Sequence, residues 1–166
     1  MSSLTRRGFL TLAPAFVLAA CASTVPFVPA GGATPETLTD AQFLAAINAV
    51  RAANGAPAWT YNKRLEDASR AQARLMAQKN TLSHDLGVKL RQRVTTAGYI
   101  GAVGENLAGG QKTLQEAIQG WMDSPGHRST LLSTRFTEFG LAVARAPGGK
   151  LYWAMIAGGS FQAWLQ

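Results

Sequence analysis

The chain holds two histidines, His84 and His127, and both fall in polar, turn-like stretches. Between them stands Glu105, in the small-residue segment Gly104-Glu105-Asn106-Leu107-Ala108-Gly109-Gly110. Two imidazoles and a carboxylate can form an open zinc or other divalent-metal site, with His84, Glu105 and His127 as ligands. The same groups can also move protons. They are too far apart in sequence to form a short motif. Plainer roles therefore stay open: helix capping for each histidine, and for Glu105 the pinning of N–H groups in its own loop. Ser83, Ser124 and Ser129 adjoin the histidines as conceivable nucleophiles, but no Gly-x-Ser-x-Gly elbow occurs. Glycines around one acid signal a sharp turn or a close approach of other atoms. The expectation is that Gly104 turns the chain and aims Glu105 inward between the histidines. Asn106 would fix that turn by a side-chain to backbone bond.

Helices and strands must bring these distant residues together. Thr39-Asp40-Ala41-Gln42 reads as a capping box ahead of the helical stripe Phe43, Leu44, Ile47 and Val50, which Asn54-Gly55 ends. A second helix is expected from Asn62 to Asn80, with Leu65, Ala68, Gln72, Leu75 and Met76 as its inner face. A loop carries His84. A basic helix is expected over 88–97, with Val88, Arg91 and Val94 in register and Arg93 among its solvated charges. The Glu105 segment is expected to be irregular. Thr113 to Glu116 caps a helix bearing Ile118, Trp121 and Met122, and Pro125 opens a short helix through Leu132. Phe139–Ala144 and Leu151–Ala157 alternate as strands and should pair across Pro147-Gly148-Gly149-Lys150. Helices early and strands late predict an α+β domain with an antiparallel sheet covered by helices.

The first residues read as an address. Arg6-Arg7 precedes an apolar run from Phe9 to Ala20, too short to span a bilayer comfortably and suited to an export signal of twin-arginine type. Leu18-Ala19-Ala20-Cys21 resembles a bacterial lipobox, and Cys21 is the only cysteine. Residues 1–20 are thus expected to be a signal peptide. Residues 21–38 are a lipidated Cys21 and a Pro/Gly-rich tether, and residues 39–166 form one domain. The expected place is extracytoplasmic, anchored through Cys21 to a bacterial membrane. Removing Arg6 and Arg7 with the signal lowers the net charge from +7 to +5. A balance of that size suits an envelope protein, and no nucleic acid partner is expected.

Taken together, Ser83-His84, Gly104-Glu105-Asn106-Leu107, Trp121, Gly126-His127 and Phe139-Gly140-Leu141-Ala142-Val143 resemble the CAP superfamily in order and spacing. Its members include cysteine-rich secretory, antigen 5 and pathogenesis-related class 1 proteins. The resemblance covers about Asp40 to Gly158 and points to the bacterial branch. It implies a three-layer α-β-α sandwich whose central cleft is lined by both histidines and the acid. The family's fourth cavity residue, a glutamate, is replaced here by Met122-Asp123-Ser124, which makes Asp123 the candidate. The implied function is a binding module for a lipid or envelope component, with a divalent cation such as zinc as candidate cofactor. A metal-assisted hydrolase and an envelope scaffold without chemistry are the alternatives. Enzymatic activity is left open and no catalytic residue is assigned.

Overall fold

The computed structural model describes residues 34–165. The expected signal peptide, Cys21 and most of the tether lie outside the described residues. Helix α1 spans Asp40–Ala53, and the capping box at Thr39 and Gln42 is present in both directions. The two-residue strand β1, Thr60–Tyr61, leads into α2, Lys63–Lys79, capped by the Asn62 side chain and ended by Asn80 in the left-handed conformation. A loop reaches α3, Leu90–Thr96, and strand β2 follows over Ala102–Gly109. Helices α4, Leu114–Asp123, and α5, Pro125–Leu132, abut at Ser124. Strands β3, Glu138–Arg145, and β4, Leu151–Gly159, form the expected hairpin, and Phe161–Trp164 is a closing 3-10 turn.

The sheet order is β1-β3-β4-β2. The three long strands are antiparallel, from Glu138↔Gly158 through to Glu105↔Ile156 and Gly109↔Tyr152, while short β1 lies parallel to β3. The sheet is therefore mixed at one edge. Both faces are covered, which is why β4 is buried along its whole length. Tyr152, Ala154 and Ile156 face α2 and α3, among Leu65, Ala68, Met76 and Val94. Trp153, Met155 and Ala157 face α1, α4 and α5, among Phe43, Ile47, Ile118, Trp121 and Leu131. The result is the α-β-α sandwich of an α+β protein.

Gly140 sets the spacing between α2 and the sheet. A Cβ there would stand 1.9 Å from the Glu66 backbone nitrogen, so α2 lies directly on β3. Ser69 Oγ donates to the Gly140 carbonyl at 3.0 Å across the same contact.

Two sequence expectations are corrected here. The Glu105 segment is not irregular but is the edge strand β2, paired to β4 along eight residues. Pairing overrides the poor strand preference of its glycines. Helix α3 turns a different face inward from the one expected: Arg93 and Val94 are buried and Arg91 is exposed. At the other end, the last residues before α1 lie against the domain. Leu38 packs on the main core, and Glu36 receives both Nε and Nη2 of Arg145 at 2.5 and 2.8 Å.

Candidate functional site

Side chains alternate along β2, so Glu105 and Leu107 point to the α2–α3 face and Asn106 and Ala108 to the α4–α5 face. The site is built across this edge strand. On one side lies the loop between α2 and α3, which carries His84. On the other lies the first turn of α5, which carries His127.

The His84 loop is held at several points. Gln72 Nε2 donates to the Ser83 carbonyl at 2.6 Å, and Ser83 Oγ bonds the Asp85 backbone. His84 Nδ1 lies 2.8 Å from Glu105 Oε2. An ionised carboxylate only accepts, so Nδ1 carries the hydrogen, and Nε2 is left for whatever enters the site. The His84 side chain is 60% exposed and that of Glu105 only 2%. The other carboxylate oxygen, Oε1, is taken by Arg93, whose side chain is also 2% exposed. Arg93 Nη1 donates to the carbonyls of Val88 at 2.6 Å and His84 at 3.4 Å. One guanidinium thus neutralises Glu105 and ties the histidine loop to α3.

His127 is placed by different means. Asn106 Nδ2 donates to its carbonyl at 2.9 Å. Arg51, fully buried on α1, donates to the carbonyls of Leu131 and Ser133 at 2.5 and 3.2 Å, holding the far end of α5. Burial lowers the Arg51 pKa to about 10. Burial also lowers the pKa of His127, and the charge of His84 adds to the effect. Asp123 does not join the group. It is exposed and accepts from Gln119 Nε2 at 2.7 Å, one turn back on α4.

Gly104 answers the question its segment raised, but by close approach and not by a turn. A Cβ there would meet Phe136 at 2.9 Å and Thr130 at 3.0 Å. Asn106 likewise fixes α5 and not a turn of its own segment. The sharp backbone is at Gly110, with φ 103°.

Beside His127 opens a cleft of about 240 Å³, walled by Leu82, Leu107, Ala108, Gln111, Trp121 and Ser124. Trp121 Nε1 donates to the Leu107 carbonyl at 3.0 Å, capping an outward-facing group of the edge strand. Gln111 Oε1 and Asn106 Oδ1 are buried without a hydrogen-bond partner. No serine hydroxyl among the described residues bonds either imidazole.

The residues do not fit a three-ligand metal centre. Both oxygens of Glu105 are engaged, one of them by a guanidinium that would repel a cation. Among the described residues, no three His, Cys, Asp or Glu side chains stand close enough to share an ion. Sequence reasoning missed Arg93 and Arg51. Arg93 could have been found, since it follows Leu90 by three residues and precedes Val94 by one. It therefore shares their inward arc and needs a counter-charge.

Comparison with known proteins gives a consistent relationship. The model of the family described as "CAP: Cysteine-rich secretory protein family" matches residues 44–156. The uncharacterized protein YkwD of Bacillus subtilis (strain 168) is 32% identical over 97 residues, which are 57% of this chain and 38% of that protein. An extracellular protein containing a SCP domain from Bacillus anthracis superposes with TM-score 0.66 at 24% identity, over 72% of this chain and 40% of that one. An outer surface protein from Borrelia burgdorferi gives TM-score 0.64 at 20% identity, over 71% and 90%. The matched region is thus about two fifths of the length of each of the two Bacillus proteins.

Proposed function

The chain belongs to the CAP family of cysteine-rich secretory proteins, and on that premise we propose that it is an extracytoplasmic binding module for an amphiphilic envelope ligand. The observation that carries this reading is the composition of the cleft beside His127. Its apolar wall of Leu82, Leu107 and Trp121 adjoins an imidazole and the unpartnered, buried Gln111 Oε1. An unpaired buried acceptor is costly, and turning the Gln111 amide into the cleft would let a ligand hydroxyl or amide donor relieve it. The apolar wall takes a short stretch of alkyl chain.

In this reading Glu105 fixes the His84 ring through Nδ1 and leaves Nε2 to meet the ligand's polar part. Arg93 and Asn106 hold the two sides of the cleft in register. No step runs through a metal, and no nucleophile is assigned. Two structural neighbours, an extracellular protein and an outer surface protein, support the location, as does the Arg6-Arg7 to Cys21 segment. No helix among the described residues is long and apolar enough to cross a membrane. Lipid attachment at Cys21 would keep the domain at the envelope.

The test is retention from a total envelope extract, read by native mass spectrometry. The full chain should carry an amphiphile that Leu82→Glu loses, since Leu82 is 50% exposed and its replacement spares the core. Equal retention by both chains, or none by either, contradicts the reading.

A further inference from the structure

Away from the cleft, at the end of the sheet where β4 runs out, the surface changes character. Ile100 is 89% exposed, and Phe161, Trp164 and Leu165 lie open on the closing turn. They form one patch. A Cβ on Gly101 would stand 2.6 Å from the Gly159 carbonyl, so the turn before β2 abuts the exit from β4. Arg91 joins the two, donating to the Gly101 carbonyl at 2.9 Å with its guanidinium 5.6 Å from the centre of the Phe161 ring. Arg135 lies 4.8 Å from the Trp164 ring, which packs on Phe136. Next to it runs a groove of about 580 Å³, lined by Thr130, Ser133, Arg135, Phe136 and Trp164.

Charge decides what fits this surface. From Leu86 to Gly104 the chain has the surface cations Lys89 and Arg91 and no acid, Arg93 being buried against Glu105. From Ser124 to Thr137 it has Arg128 and Arg135 and no acid; the next residue, Glu138, is half-buried with its carboxylate bonded by Asn62 and Tyr99, and Gly159 to Gln166 has no charged side chain. Aromatic and branched side chains ringed by arginines match a bilayer interface, where rings sit at headgroup depth and guanidinium groups reach phosphates. A protein partner would need an acidic rim, and a second copy would bring the same arginines into opposition.

We infer that Ile100, Phe161, Trp164 and Leu165, with Arg91 and Arg135, form a face that docks on an anionic lipid bilayer. The groove beside Trp164 takes a phosphate headgroup. This face is separate from the cleft and does not need it. It is compatible with a lipid on Cys21. The described chain starts beside the Arg145 end of β3, about 25 Å along that eight-residue strand from the patch. The stretch from Cys21 to Thr34 can reach at most about 45 Å.

Trp164 supplies its own probe. The other tryptophans, Trp59, Trp121 and Trp153, are at most 2% exposed. Full-length Cys21→Ser chain, which cannot be lipidated there, is mixed with phosphatidylglycerol vesicles containing a doxyl-labelled lipid. Trp164 emission should shift to the blue and be quenched, and Trp164→Phe should abolish both changes. Arg91→Gln with Arg135→Gln should weaken partitioning about 30-fold, as expected for two interfacial arginines. Absence of quenching, equal quenching on phosphatidylcholine alone, or unchanged partitioning of the double variant overturns the proposal. So does a lipid-free dimer that shields Trp164, which would make a second copy the occupant. Neither result bears on Leu82 or the cleft, so the two readings fail separately.

Discussion

Arg93 and Glu105 form an ion pair in which each side chain is only 2% exposed, and the acid's other oxygen holds His84. Removing one member of such a pair leaves a buried charge without its partner. Arg93→Met or Glu105→Leu should therefore lower unfolding stability by about 3–5 kcal/mol. Replacing both at once should cost less than either alone, because no stranded charge remains. Urea unfolding of the three variants checks this. Additive losses would mean that the pair is not coupled as the structure has it.

His127 should titrate below the ordinary imidazole value, since burial and then the charge of His84 both disfavour its protonation. The unfolded chain then binds the proton more readily than the folded one. Stability contributed by this group is present above an unfolded pKa near 6.5 and falls as pH drops towards the folded value. Proton NMR should show the His127 midpoint rising in His84→Gln, where one of its two causes is gone. An unchanged midpoint would separate the two rings.

Two glycines should tolerate alanine very differently. At Gly140 the added methyl would collide with the α2 backbone at 1.9 Å, which no rotamer change relieves. Gly140→Ala should cost about 3 kcal/mol or more, by overpacking. At Gly104 the methyl meets the side chains of Phe136 and Thr130 at 2.9 and 3.0 Å, which can shift. Gly104→Ala should fold with a loss of about 1–3 kcal/mol and a displaced α5. Thermal unfolding of both variants ranks them, and the reverse order would contradict the packing described.

Much of this was legible because local rules and tertiary needs agree. The Thr39 capping box, the helix that starts at Asn62 and the β3–β4 hairpin each follow from a few adjacent residues. His84 and Glu105 were recognisable as partners through a family pattern, and the structure brings them to 2.8 Å. What escaped depends on distance in sequence. The Glu105 segment becomes a strand only because β4 pairs with it, and nothing in its own glycines says so. Arg93 reads as one more exposed cation until α3 is rotated to its real face. Asp123 stands near the register of the family's fourth cavity residue, but its own helix turns it towards Gln119.

In the proposed reading an amphiphile enters the cleft between Leu82 and the start of α5. The most direct measurement uses lysophosphatidylglycerol, below its micelle concentration, added to the isotope-labelled full chain and followed by NMR. Shift changes are expected at Leu82, the Gln111 side chain and the His127 ring, saturating together and lost in Leu82→Glu. Shift changes confined to Phe161–Leu165, or none at any of these groups, would contradict it.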